Sequence, residues 1–105
     1  MAIMVVHCER RDSAGRAEVA EAAYAWCCAL RGGEGIRNSR FFWETPDRIA
    51  ILTEADSIAD LDRLPKPDTA AAMFHLADLA RVVDQQHWYD PDIGEETYRM
   101  AGRDV

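Results

Sequence analysis

The sequence has little positive charge and no long hydrophobic run. Its formal net charge is −7, and Lys66 is its only lysine. An acidic chain without a cluster of basic residues is repelled by nucleic acid and by anionic membrane surfaces, so neither is an expected partner. No apolar stretch approaches the roughly 18 residues that a membrane span requires. The N-terminal residues lack a signal-peptide pattern, which predicts a cytoplasmic location.

Cysteine is scarce, and the common catalytic motifs are absent. The chain has three cysteines, an odd number, and two of them, Cys27 and Cys28, are adjacent. Neighbours on a helix point about 100° apart, so we expect free thiols and no disulfide. There is no G-x-S-x-G, P-loop or G-x-G-x-x-G motif. No set of His, Cys, Asp and Glu has the spacing of zinc ligands, so no metal is expected.

Short apolar runs predict four strands. The run AIMVVHCE is β-branched in its middle, which is typical of a buried strand. Thr45-Pro46-Asp47 is a turn signal between two apolar runs and predicts a hairpin. The predicted strands are residues 2–9, 37–44, 48–54 and 85–90.

Helical periodicity predicts two long helices. The first spans residues 16–30, with Asp12 or Ser13 as its cap and Gly32-Gly33 at its end. The second begins at Asp68 or Thr69. One face of this second helix collects the apolar residues Met73, Leu76, Ala80 and Val83. Between the hairpin and the second helix, Ile58, Leu61 and Leu64 indicate a short helical turn.

The order β-α-β-β-α-β over residues 1–90 predicts an α+β, ferredoxin-like domain. A four-stranded antiparallel sheet carries both helices on one face, and residues 91–105 form a polar, partly helical tail. The strands are also rich in apolar side chains that need cover on the other face. Met4, Val6 and the run Phe41–Trp43 are the candidates. A homodimer that packs sheet on sheet satisfies this requirement.

This layout resembles the dimeric α+β barrel superfamily. The resemblance rests on the hairpin RFFWETPDRIAIL, the link TEADSIADLDRLP, the helix AAMFHLADLA and the last strand QQHWYD. The superfamily includes cofactor-independent monooxygenases of antibiotic biosynthesis, polyketide cyclases, muconolactone isomerases, haem-degrading enzymes and stress-response proteins. The resemblance implies a homodimer with a small apolar or aromatic ligand held between the helices and the sheet of each subunit.

Two histidines are the catalytic candidates. His75 lies at the rim of the buried face of the second helix, where an imidazole can reach a pocket mouth and act as general acid–base. His7 shares a strand face with Ile3 and Val5, and either His7 or His87 is the candidate second polar group. The superfamily often carries a histidine in the helix that holds His75, and haem-degrading members use it as iron ligand.

Two further residues are ligand-binding candidates. His87 and its neighbour Trp88 point to opposite faces of the last strand, so only one of them can line a cavity on a given face. Trp43 can orient an aromatic ligand by stacking.

Three functions remain open at the level of the sequence. The first is a cofactor-independent enzyme of monooxygenase or cyclase type that acts on an apolar or aromatic substrate. The second is a non-catalytic ligand-binding or stress-response dimer. The third is a haem-binding protein that uses His75, although the first-strand asparagine of haem-degrading members has no counterpart in AIMVVHCE.

Overall fold

A computed structural model describes residues 1–64 and 67–89 of the chain; the predicted tail lies outside them. The elements in chain order are β1 Ala2–Arg10, α1 Arg16–Arg31, β2 Ile36–Thr45, β3 Arg48–Ala55, α2 Ile58–Asp62, α3 Pro67–Leu79 and β4 Ala80–Tyr89. The strands form one antiparallel sheet in the order β2-β3-β1-β4. The predicted ferredoxin-like fold is confirmed, and the short turn between hairpin and second helix is α2.

The hydrophobic core lies between the helices and one face of the sheet. Alternate residues of the two central strands face the helices, since strand side chains alternate between faces. These are Ala2, Met4, Val6 and Cys8 on β1 and Ile49, Ile51, Thr53 and Ala55 on β3, all buried. Helix α1 packs against them and contributes six buried residues to the core, which are Val19, Ala22, Ala23, Trp26, Cys27 and Leu30.

Helix α1 begins later than its predicted caps. Its N-cap is Gly15, and the Glu18 carboxylate accepts a hydrogen bond from the Gly15 N–H at 3.1 Å. Asp12 and Ser13 lie instead in a turn, in which the Ala14 N–H donates to the Arg11 carbonyl at 3.0 Å. The prediction of Asp12 or Ser13 as cap is wrong because these residues serve the turn, which favours the same side chains.

The boundary between α3 and β4 also differs from the prediction. The helix ends at Leu79 and the strand begins at Ala80, so Ala80 and Val83 are strand residues. Pairing with β1 begins at Arg10↔Ala80, and a register shift between His7 and Cys8 leaves Val83 as an extra residue. The ladder of hydrogen bonds to β1 therefore overrides the helical periodicity of this segment.

The second face of the sheet, hereafter the outer face, carries a different apolar set from the one predicted. Cross-strand pairing places Met4, Val6, Phe41 and Trp43 on the helix face. The outer face holds Ile3, Val5, Phe42, Leu52 and Trp88. Phe42 and Trp88 are 48% and 56% exposed. An apolar face without cover in the described part of the chain is therefore present, but of the predicted residues only Phe42 belongs to it, and the other members alternate with the predicted ones.

Candidate ligand-binding site

A cavity of about 320 Å³ lies between the helices and the β1–β4 half of the sheet. Its volume falls at the lower end of the roughly 300–1,000 Å³ typical of small-molecule sites. The apolar lining residues are Met4, Val6, Trp26, Leu30, Leu61, Leu64, Ala70, Met73, Leu76, Ala77, Ala80 and Val82. The polar or weakly polar ones are Cys8, Asp62, Thr69, Gln85 and His87.

Small side chains on α3 create this space. Of the five α3 residues that line the cavity, three have small side chains, namely Thr69, Ala70 and Ala77. The strand opposite, β4, forms one edge of the sheet and pairs only with β1. Its helix-facing side is consequently open, and Val82 there is 52% exposed. The cavity thus has a buried end under α1 and an open end at β4.

His87 and Gln85 supply the polar groups at the open end. Both residues are exposed, and they pair with Met4 and Val6 of β1, which places their side chains on the helix face. Because Gln85 and His87 are two positions apart on β4, they lie roughly 7 Å from each other. The Gln85 side-chain N–H₂ contacts the Met4 sulfur at 3.8 Å. A thioether is a poor hydrogen-bond acceptor, so the Gln85 amide remains able to donate a hydrogen bond to a better acceptor.

The alternation predicted for His87 and Trp88 corresponds to their positions in the structure. His87 lines the cavity, whereas Trp88 pairs with Ile3 and lies on the outer face. The sequence alone does not determine which of the two residues faces a cavity. The bulge at Val83 determines it, because the extra residue sets which of the following β4 side chains face the helices.

His75 lies outside the cavity. It is an exposed residue of α3 and lines a separate groove between α1 and α3 together with Glu18, Glu21, Ala22, Ala25 and Leu79. Haem requires a largely apolar slot around its iron ligand. The groove beside His75 contains two carboxylates instead, so the residues around His75 do not fit haem.

His7 occupies the outer face, opposite to the cavity. Its Nδ1 lies 2.5 Å from the Glu44 Oε1, and the same carboxylate oxygen is 3.4 Å from the Arg48 Nε. His7, His75 and His87 therefore lie on three separate surfaces, and the structure does not bring them into one site. The catalytic roles assigned to His7 and His75 from the sequence stay predictions.

Trp43 is half-buried on the helix face of β2, at the sheet edge opposite to β4. The Arg16 guanidinium carbon lies 4.4 Å from the centroid of its ring, a cation–π contact. Trp43 does not line the cavity. Trp26, Gln85 and Cys8 do line the cavity, and no sequence pattern predicts this. In the sequence, Trp26 is indistinguishable from any other apolar residue on the buried face of α1.

The cavity thiol is held in its protonated form. Burial raises the pKa of Cys8 to about 11 and also raises the pKa of Cys27. All three cysteines are free, as predicted, and Cys28 is exposed beside the buried Cys27. A protonated thiol is a poor nucleophile, so Cys8 contributes to the cavity as a small, weakly polar wall at neutral pH.

We expect iodoacetamide at pH 8 to modify only Cys28 in the folded protein. Cys8 and Cys27 should react after unfolding in urea, because burial keeps them protonated and inaccessible before it. Intact-mass spectrometry would then show one adduct before denaturation and three after it. Native modification of Cys8 as fast as Cys28 would contradict the position of Cys8.

Within residues 1–64 and 67–89, no group of three or more His, Cys, Asp or Glu side chains is arranged to hold a metal ion. In the same residues, no helix is long and apolar enough to cross a membrane.

Comparisons with known proteins give matches of structure only. No protein-family model matches the chain. No curated protein matches it either. SnoaB from Streptomyces nogalater, a cofactor-independent oxygenase, superposes with a TM-score of 0.75 at 8% identity, over 90% of this chain and 96% of that one. The chain shares the ferredoxin-like fold of this protein.

Two other solved structures support this assignment of fold. An antibiotic biosynthesis monooxygenase aligns with a TM-score of 0.69 at 12% identity, over 90% of this chain and 100% of that one. A conserved protein of unknown function from Bacteroides thetaiotaomicron aligns with a TM-score of 0.72 at 16% identity, over 83% of this chain and 94% of that one. The resemblance seen in the sequence is thereby confirmed at the level of fold.

Proposed function

We propose that the chain binds a small apolar ring compound in the cavity and oxidises it with O₂ without a cofactor. The observation that carries the proposal is an apolar cavity of about 320 Å³ whose open end holds an imidazole and an amide. Few polar groups in an apolar pocket orient a ligand without requiring it to be charged. The similarity in fold to a cofactor-independent oxygenase and to a named monooxygenase supports the choice of reaction.

His87 is the acid–base group in this proposal. An anthrone and O₂ give an anthraquinone and one water molecule, and the reaction begins when a ring methylene loses a proton. The resulting carbanion is electron-rich enough to pass electrons to O₂. An imidazole at the open end can accept that proton and later return it to reduced oxygen. Gln85, on the same strand face, donates to a ligand oxygen nearby.

We expect His87→Gln to lower kcat/KM for anthrone or hydroquinone oxidation about a hundredfold, the loss typical of removing a general base. His75→Gln is the matched control, because His75 lies outside the cavity. Oxygen consumption with a panel of anthrones and hydroquinones provides the readout. Loss of activity in His75→Gln with retention in His87→Gln would assign the proton transfer to His75 instead.

A non-catalytic ligand-binding protein is the second candidate. The Cys8 thiol is protonated, and the proposed proton transfer is assigned to a single side chain, His87, at the open end of the cavity. Binding of ring compounds without oxygen consumption in the wild-type protein would favour this candidate over the oxygenase.

We also propose that two copies of the chain pack through their outer faces. Ile3, Val5 and Leu52 form the centre of this face, and Phe42 and Trp88 flank it, half exposed. Of the central residues, Val5 is buried and Ile3 and Leu52 are half-buried, and exposed aromatic side chains around an aliphatic centre are typical of an interface. A partner sheet would remove these rings from water and give the two-layered barrel that the resemblance implies.

We expect Leu52→Glu to weaken this dimer at least about a hundredfold, because a carboxylate would be buried at its centre. Leu52 pairs with Arg40, which can neutralise the new charge in the separated subunit. Tyr24→Glu, at an exposed position of α1, is the control. Sedimentation equilibrium measures the dissociation constant. A wild-type protein that sediments as a monomer would rule out the interface.

A further inference from the structure

Trp26 has a buried indole N–H without an acceptor. The side chain is 6% exposed, and its Nε1 has no hydrogen-bond partner in the described part of the chain. A buried tryptophan normally donates this proton to something. Leaving a buried donor unpaired destabilises the folded protein. An orphaned donor in a cavity wall therefore indicates a partner that the described residues do not provide.

The position of Trp26 connects this donor with the cavity. Trp26 projects from α1 and lines the buried end, alongside Leu30. His87 and Gln85 line the open end on β4, so they approach the cavity from a different element. The two ends differ in exposure as well, since His87 is exposed and Trp26 is not.

The chemistry of the wall restricts what can accept this hydrogen bond. A buried water needs two to four polar partners, and besides Trp26 the buried lining residues with a polar or weakly polar group are, among the described residues, Thr69 and Cys8. Among the described residues that line the cavity there is no lysine or arginine, so none of them would serve as counter-ion to a buried anionic acceptor. A hydroxyl would bring a proton of its own that needs an acceptor. A carbonyl oxygen accepts without adding either charge or donor.

We propose that Trp26 determines ligand specificity by donating its indole N–H to a carbonyl oxygen at the buried end of the cavity. This inference rests on the proposed ligand-binding function and deepens it, because it names a residue and the group that the residue selects. The apolar body of the ligand then lies against Met4 and Leu76, and its other end reaches Gln85 and His87.

Fluorenone and fluorene test the inference, since they share a ring system and differ in one carbonyl group. We expect the wild-type protein to bind fluorenone about tenfold more tightly than fluorene, the effect of one hydrogen bond to a buried donor. In Trp26→Phe the two affinities should become equal within about twofold. Trp88→Phe is the matched control, because Trp88 lies on the outer face, and it should keep the preference.

Proton NMR provides a second readout that a structural role for Trp26 would not produce. The Trp26 indole proton, assigned through the Trp26→Phe variant, should move downfield with fluorenone, as hydrogen-bonded protons do, and not with fluorene. Equal binding of both compounds to the wild-type protein would overturn the role of Trp26 and leave the proposed function standing. Persistence of the preference in Trp26→Phe would also overturn it. Binding of neither compound would overturn the inference together with the proposed function.

Discussion

Replacing Ala70 with phenylalanine is expected to weaken the binding of a ring compound by at least about a hundredfold. The Ala70 methyl group lines the cavity from α3. A phenyl ring at this position would occupy part of a space of about 320 Å³, and a ligand could enter only by displacing well-packed side chains. Isothermal titration calorimetry with fluorenone measures the loss, and circular dichroism checks that the variant is folded.

The neighbouring alanine gives the matched control. Ala71 is exposed and does not line the cavity. Ala71→Phe adds the same side chain to the same helix, one residue away, and should leave the affinity within about twofold. Equal affinities in Ala70→Phe and Ala71→Phe would mean that the ligand binds elsewhere on the molecule.

Truncating Ile51 to alanine is expected to lower the free energy of unfolding by about 2–5 kcal/mol, the range for deleting an isoleucine side chain from a packed core. Ile51 is 0% exposed on β3, in the middle of the sheet, and faces the helices. Because the free energy of unfolding of a native domain is only about 5–15 kcal/mol, this loss is a large share of the total stability.

A second, smaller truncation at Ile51 tests whether lost packing is the cause of the lower stability. Ile51→Val removes one methylene group and should cost only about 0.5–1.5 kcal/mol. Urea denaturation followed by circular dichroism gives both values, and the slope with denaturant should stay unchanged. A loss below about 1 kcal/mol in Ile51→Ala would contradict the central position of this residue.

The periodic part of the fold could be predicted from the sequence. Helix α1 and the hairpin of β2 and β3 follow from apolar spacing and from the turn at Thr45-Pro46-Asp47, because these signals are local. The boundary after Leu79 could not be predicted in this way. Ala80 and Val83 satisfy a helical period as well as a strand, and only pairing with β1 decides between them.

The candidate site was harder to predict than the fold. The sequence predicts His87 as a ligand-binding candidate, and strand alternation predicts its separation from Trp88. The cavity itself has no local signal, because it arises where alanines of α3 pass over an uncovered edge strand. The role of Trp26 depends on whether its N–H meets an acceptor, which is a property of the packed chain and not of the spacing along it.

The central claim is that the space between α3 and β1 is the ligand site, and contacts with two methionines test it most directly. Met4 lies on the β1 wall of the cavity and Met73 on the α3 wall. In protein labelled at its methionine methyl groups, bound fluorenone should give intermolecular NOEs to both methyls, because the ring lies between the two walls. A fluorenone complex with NOEs to neither Met4 nor Met73 would contradict the assignment.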